Sequence, residues 1–306
     1  MNEYFVGAVV VTFHPDLGRM ARLLHNVGHQ VDQVVVIDNG SSQTIVQQLR
    51  ARAEQYVHCT VIALGQNMGV AYAQNKGLDK GRLCGWTHGL LLDQDSDPAP
   101  NMVEELLRAY DFLKHKTERI AALGPKYINL DYANSSYFVQ FARLGIRRRF
   151  CSSEDDREAI VPADFLISSG ALLSMRAYED VGTMEETLFI DHVDTDWFLR
   201  AKARNWRSFG ICSATMWHKL GERTVRVRLP GYVRYAALYD PLRYYYLARN
   251  TFWMARRPYV PLVVKISLFN RLLRASLIRI ACGSARLRVL QHAGMGLKHG
   301  VQGKMF

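Results

Sequence analysis

Apolar and polar residues alternate in blocks along the first third of the chain. Val6–Phe13 is a continuous apolar run rich in Val, the pattern of a strand covered on both faces. Leu17–Val27 mixes apolar and polar positions with a helical period. Val34–Ile37 is a second buried strand, stopped by Asp38-Asn39-Gly40-Ser41-Ser42. A helix follows over Thr44–Glu54, a third strand over Val57–Leu64, a helix over Val70–Lys80 and a fourth strand over Gly89–Leu92. Strands alternating with short helices build βαβ units, so the pattern predicts an α/β chain with a mostly parallel, Rossmann-like sheet flanked by helices. Such sheets bind ligands beyond the carboxyl ends of their strands. Asp38-Asn39-Gly40 and Asp93-Gln94-Asp95 both stand at such ends.

After Pro125 the pattern changes. Residues 129–160 are polar, aromatic and charged, with Arg147-Arg148-Arg149 and Glu154-Asp155-Asp156-Arg157, and read as a long excursion that is at least partly loop. Phe165–Met175 resumes as a strand-like run, and a helix is expected from about Asp194 to Asn205. From about Tyr232 the chain reads as helical, basic and aromatic.

Charge divides the chain. Residues 241–306 hold 12 Lys/Arg and no Asp or Glu, whereas residues 1–240 hold 27 Lys/Arg against 28 Asp/Glu, a net of −1. Two units are expected: a near-neutral domain over 1–240 and a basic helical region over 241–306. The formal charge of +11 is therefore no footprint for nucleic acid. The acids at the strand ends would repel phosphates unless a metal intervened, and no nucleic-acid motif is present. Cys59, Cys84, Cys151, Cys212 and Cys282 are scattered, with no C-x-x-C and no zinc-like spacing. The odd count fits a reducing cytoplasm. The N-terminus lacks a signal-peptide pattern, and no apolar run reaches a transmembrane length.

Two acidic constellations carry candidate chemistry. In Asp93-Gln94-Asp95-Ser96-Asp97, two carboxylates one residue apart leave an apolar strand together. Hard divalent cations take such oxygen ligands and share them with phosphates. The same residues also read as a solvated turn closed by Pro98, with Asp97 capping the next helix. In Asp191-His192-Val193-Asp194-Thr195-Asp196, three acids crowd a helix start, and Arg200 lies one turn beyond Asp196. An Asp196–Arg200 pair leaves Asp194 free to face the crevice as a general base. A third segment, Asn67 to Gly77, has small residues at 69, 71, 73 and 77. They suit phosphate at a helix N-terminus and equally suit close helix–sheet packing.

In this order the segments Val10-Val11-Thr12-Phe13, residues 36–41, 67–77, 91–96, 167–170 and 188–196, His218 and residues 243–250 resemble family 2 glycosyltransferases. The resemblance is nearest to bacterial rhamnosyltransferases that use dTDP-L-rhamnose, and it covers about residues 5–250. It implies a GT-A fold and inverting transfer of a sugar to a saccharide or lipid-linked acceptor in cell-surface polysaccharide or glycolipid synthesis. It implies a divalent cation, Mg²⁺ or Mn²⁺, held by Asp95 and Asp93 with His218. It places Thr12, Asp38, Asn67, Gly69, Asp93 and Arg243 at the donor and Ser169 and Gly170 at the acceptor. Aligning Arg200 with the family's helical Arg puts the base at Asp194. Val193 then stands where the family usually has Glu, which leaves Asp191 as the competing base. A UDP-hexose donor is the alternative within the fold.

Along a helix from Leu262, apolar residues at 262, 266, 269, 273, 277 and 280 share one side, with Lys265, Arg271, Arg274 and Arg279 opposite. A basic amphipathic helix is expected to bind the cytoplasmic membrane surface or to pack on the catalytic domain or another subunit.

Overall fold

The computed structural model describes residues 4–56, 58–129, 137–142, 145–151, 159–218, 223–229, 232–282 and 285–305. The strands of the first half are β1 (Val6–Thr12), β2 (Gln33–Asp38), β3 (Cys59–Ala63), β4 (His88–Asp93), β5 (Ser96–Pro98) and β6 (Ile120–Asn129). Between them lie helices α1 (Leu17–Gly28), α2 (Gln43–Ala53), α3 (Val70–Leu83) and α4 (Met102–Lys114). The second half contains β7 (Tyr137–Ala142), β8 (Gly145–Phe150), β9 (Ile160–Ala163), β10 (Leu172–Ser174), α5 (Met175–Val181), α6 (Val193–Ala203), β11 (Arg207–His218), β12 (Arg223–Leu229) and β13 (Tyr232–Leu238). Helices α7 (Pro241–Ala255), α8 (Leu262–Cys282) and α9 (Arg286–Gln302) complete it.

The main sheet has the order β3-β2-β1-β4-β10-β6-β11-β5, with β9 also on β11. Pairing is parallel across β3-β2-β1-β4 and between β6 and β11. The short strands β5, β9 and β10 run against them. The α/β architecture is as expected, but parallel pairing is interrupted where β10 inserts between β4 and β6. β1, β2, β3, β4, β6 and β11 still end at one edge of the sheet. The continuous apolar runs are explained by two cores, one on each face. In β1, Val9 packs with α3 and α6 residues, while Ala8 and Val10 pack with α1 and α4 residues.

The second half departs from the sequence reading in three places. Residues 137–142 and 145–150 form a hairpin rather than a loop, with Arg147, Arg148 and Arg149 exposed along β8. Glu154 to Arg157, and Val57 at the start of the third expected strand, lie outside the described residues. Only Leu172–Ser174 of the run 165–175 is strand, because Gly170 turns with φ +80° and Met175 opens α5. Tyr232–Leu238 is a strand paired with β12, so the helical region begins at Pro241. Cys151 and Cys212 form a disulfide with Cα atoms 5.6 Å apart. β9 pairs with β11 beside the hairpin and brings them together. A separation of 61 residues carries no pairing signal in the sequence.

Candidate active site

The parallel register assembles the acidic edge. Thr12 at the end of β1 stands beside Asp38 at the end of β2, and Val11 stands beside Asp93 at the end of β4. Asp38 is fully buried. Its Oδ2 accepts the backbone N–H groups of Gly40 and Ser41 at 3.2 and 2.9 Å, and its Oδ1 accepts the Thr12 hydroxyl at 3.3 Å. Asp38 thus shapes the loop beyond β2. Asn39 and Asn67 clasp that loop to the next: Asn39 donates to Asn67 Oδ1 at 3.0 Å and accepts from Met68 N at 2.8 Å.

Gly69 begins α3 with φ +87°, and a Cβ there would lie 2.7 Å from the Phe189 carbonyl oxygen. Val70 N donates to that same oxygen at 2.7 Å. A side chain at Gly77 would overlap Val9. The small residues of this segment serve close packing, and the first N–H of α3 is spent on the loop around residue 189.

Beyond β4, the acidic turn is built on a serine pair. Ser96 and Ser169 hydroxyls lie 2.6 Å apart, and Asp93 N donates to them at 3.1 and 3.3 Å. Ser169 is buried behind the turn, and Tyr127 OH donates to its carbonyl. Asp97 accepts from Asn26 at 2.9 Å, whereas α4 begins after Asn101, so Asp97 ties the turn to α1 instead of capping a helix. Asp93 and Asp95 are half-buried at the mouth. Burial, followed by the charges of Asp93 and Asp194, raises the Tyr127 pKa. In β11, His218 sits opposite Ser96 in register; its side chain lies outside the described residues.

The loop before α6 is strained and held from one side by α7. Phe189, Asp191 and His192 have φ of 64°, 63° and 66°. Non-glycine residues pay about 1–3 kcal/mol each for such backbone. Asn250 Nδ2 donates to the carbonyls of Leu188, Ile190 and Asp191 at 2.8, 2.7 and 3.0 Å. Buried Arg249 donates to Thr187 O at 2.6 Å and Leu188 O at 3.1 Å. Tyr246 stacks on Phe189 with centroids 4.7 Å apart. α9 supports α7 at Gly296 and Gly300, where added Cβ atoms would fall 2.3 Å from Tyr245 O and 2.9 Å from Phe252 Cβ. α7 therefore lies beyond the expected boundary at residue 240 yet shapes the site.

The three acids of this loop have separate surroundings. Asp196 is buried and pairs with Arg200 at 2.8 Å, as the four-residue spacing suggested, and also accepts Tyr259 OH at 2.5 Å. Asp191 meets Arg243 at 2.9 and 3.2 Å and Arg271 at 3.5 Å. Burial alone would raise its pKa, but Arg243 and then Arg271 hold it below the ordinary value. Asp194 is half-buried, and Thr195 N donates to its Oδ1 at 2.7 Å. Its pKa is raised: burial outweighs Thr195 and Arg271, and Asp191 adds repulsion. Arg243, expected at the donor, is thus engaged with Asp191, though it also feels the Asp93 charge.

The resemblance implies that Asp194 is a general base; a base must be ionised to work, so in that role its raised pKa would set the acid limb of activity. kcat/KM is expected to fall as pH drops, with a midpoint above the ordinary aspartate value of about 3.9. A pH–rate profile flat down to that value would contradict this assignment.

The structure brings together Thr12, Asp38, Asp93, Asp95, Ser169, Gly170, Asp191, Asp194 and Arg243 at one edge of the sheet, with Asn67 and Gly69 on its flank. Sequence reasoning missed Tyr127, Asn250 and Arg271 as parts of the site, and it offered Arg249 with Arg243 as a contact for a donor or acceptor phosphate, whereas Arg249 is buried against the Thr187 and Leu188 carbonyls. Only the 243–250 segment carried a signal for any of them. Among the described residues, no group of three or more His, Cys, Asp or Glu forms a metal cage. The donor set of Asp93 and Asp95 fits a hard cation completed by a substrate's phosphate oxygens.

The chain is similar to known proteins in sequence and in fold. The model of glycosyl transferase family 2 matches residues 8–182. The dTDP-rhamnosyl transferase RfbF of Shigella flexneri is 31% identical over 262 residues, 85% of this chain and 82% of that protein. Solved structures share the fold at low identity. GalNAc-T7 with UDP, GalNAc and Mn²⁺ superposes with a TM-score of 0.58 at 13% identity over 97% of this chain, which spans 58% of its length. The mannosyltransferase PcManGT from Pyrobaculum calidifontis, in complex with GDP-Man and Mn²⁺, gives 0.55 at 15% identity over 99% of this chain and 87% of its own. S. aureus TarS gives 0.57 at 12% identity over 97% of this chain, which spans 48% of its length. With the family model covering more than half of the residues and a rhamnosyl transferase aligned along most of the rest, the chain belongs to glycosyl transferase family 2 and is a glycosyltransferase.

Proposed function

We propose that the chain transfers L-rhamnose from dTDP-L-rhamnose, with inversion, to a saccharide or lipid-linked acceptor of cell-surface polysaccharide or glycolipid synthesis. The donor reading rests on the relative named a dTDP-rhamnosyl transferase. The mechanism rests on one observation: two arginines neutralise Asp191 and leave Asp194 with a raised pKa and no guanidinium within ion-pair distance among the described residues. Asp194 accepts the acceptor hydroxyl proton as that oxygen attacks the anomeric carbon. Asp191 is the positioning residue that orients Arg243 and Arg271. The donor lies along Thr12, Asp38, Asn67, Gly69 and Asp93, with Arg243 toward its diphosphate, and Ser169 and Gly170 border the acceptor side. Asp95 and Asp93, with His218, would hold Mg²⁺ or Mn²⁺. Such an ion, when bound, offsets the charge of the diphosphate leaving group. Preorganised positioning and charge then supply most of the rate.

Residues 1–240 form the transferase domain in this reading, α7 completes its site, and the rest of 241–306 serves location at the cytoplasmic membrane face or assembly. No described helix is long and apolar enough to cross a membrane.

Nucleotide release by water needs no acceptor and tests the donor. Purified chain with Mg²⁺ or Mn²⁺ should release dTDP from dTDP-L-rhamnose at least about tenfold faster than UDP from UDP-hexoses, a difference of about 1.4 kcal/mol. EDTA should suppress it. Turnover confined to UDP-sugars would overturn the rhamnosyl assignment in favour of the UDP-hexose alternative.

A further inference from the structure

The amphipathic pattern of α8 is realised the opposite way round from a packed helix. The protein buries Val264, Leu268 and Leu272. The wider apolar stripe faces out: Leu262 is 72% exposed, Ile266 54%, Phe269 36%, Leu273 58% and Leu277 56%. Their spacing of four, three, four and four places them on a single face. α9 adds exposed Leu287 and Leu290. Beside α8 runs a groove of about 340 Å³, lined in part by Ile146, Ile266, Leu273 and Arg274. Its far wall is β8, which carries exposed Arg147, Arg148 and Arg149. Arg274 of α8, which lines the groove, is exposed as well.

We infer that this ridge is a docking surface for an anionic phospholipid membrane, with α8 lying in the interface plane. Charge complementarity selects that occupant. Apolar side chains flanked by Arg274 and by the arginines of β8, on a helix from a region of 66 residues without Asp or Glu, match acyl chains beneath anionic headgroups. Two copies meeting face to face would instead bring these arginines together without acids to offset them. α8 has 21 residues, but its apolar stripe is one-sided and no described helix qualifies as a span, so it lies on the bilayer. Its other side reaches the catalytic loop, with Arg271 3.5 Å from Asp191. Docking through the ridge holds the site beside the surface from which a lipid-linked acceptor is presented. The inference rests on the proposed work at the membrane face and is independent of the donor.

Co-sedimentation of the full chain with vesicles decides it. The protein should bind phosphatidylglycerol–phosphatidylcholine vesicles at low salt, bind pure phosphatidylcholine weakly, and lose affinity at about 1 M salt, where the Debye length is about 3 Å. The double variant Ile266→Glu with Leu273→Glu should lose at least about tenfold in affinity while keeping its melting temperature, since both side chains are exposed and make no core. Its dTDP release from dTDP-L-rhamnose should match the parent's. Absence of wild-type binding at low salt would overturn the inference, as would binding unchanged by the double variant. A dimer dissolved by the same substitutions, without vesicle binding, would assign the ridge to a second copy. Vesicle binding that the variant weakens, in a protein that leaves dTDP-L-rhamnose intact, supports the ridge and sinks the donor assignment alone.

Discussion

Asp194→Asn should lower turnover of the nucleotide sugar by about a thousandfold while leaving fold and donor binding in place. General base catalysis supplies about 10²–10⁴ in rate, and Asn cannot take the proton. The stability comparison separates chemistry from folding. The folded protein raises the Asp194 pKa, so it holds that proton more tightly than the unfolded chain does. The associated stability is full below the unfolded pKa and is lost as pH rises through the folded one. At pH 8 the ionised carboxylate therefore costs stability, and the Asn variant should melt no lower than the parent. Asp191→Asn should behave differently. Arg243 would keep its charge with its main partner gone; its side chain is 32% exposed, so the cost falls below the roughly 3–5 kcal/mol of a fully buried pair and above the roughly 1 kcal/mol of a surface one. That variant should melt well below the parent. If Asp194→Asn retained turnover while Asp191→Asn abolished it without loss of stability, the two roles would be exchanged.

Asn250→Ala should be the second severe change, although Asn250 is placed against backbone and not against the reacting atoms. It removes the two N–H groups that three carbonyls of the strained loop share. Each hydrogen bond contributes about 0.5–1.5 kcal/mol net, so a loss of roughly 1–3 kcal/mol in stability is expected. The φ values near +65° at Asp191 and His192 then lose their main restraint, and Asp194 follows at the start of α6. A shift of about 1 Å in a catalytic group costs about 10²-fold. Steady-state kinetics should show kcat falling about a hundredfold with a much smaller change in the donor KM. A parallel rise in KM with kcat intact would mean that α7 supports the donor cleft and not the base.

The sheet edge was readable in the sequence because its signals are local. Apolar runs of Val and Leu mark strands buried on both faces, and the acids that stop them fall at the carboxyl ends by register. The Asp196–Arg200 pair was readable for the same reason, since helical spacing alone brings i and i+4 together. Long-range partners had no such signal. Tyr127, Asn250 and Arg271 reach the site from residues far away in the chain, and nothing around them in sequence states which backbone they will meet. The charge arithmetic at residue 240 drew a line that packing ignores, because α7 is basic yet spends Arg243 and Arg249 on the loop before α6. Which face of α8 the protein covers was left open, because its buried and exposed stripes are both apolar. Hydrophobic periodicity finds the stripe but cannot say which side the protein covers. The Cys151–Cys212 bond was equally opaque, because it joins two residues 61 positions apart.

A single displacement with Asp194 as base fixes the stereochemistry of the product, and methanol offers the simplest acceptor for observing it. A methyl glycoside does not mutarotate, so its anomeric configuration records the enzymatic step. Proton NMR of the methyl rhamnoside formed from dTDP-L-rhamnose should show the configuration opposite to that of the donor. A methyl rhamnoside with the donor's configuration retained would contradict direct attack assisted by Asp194.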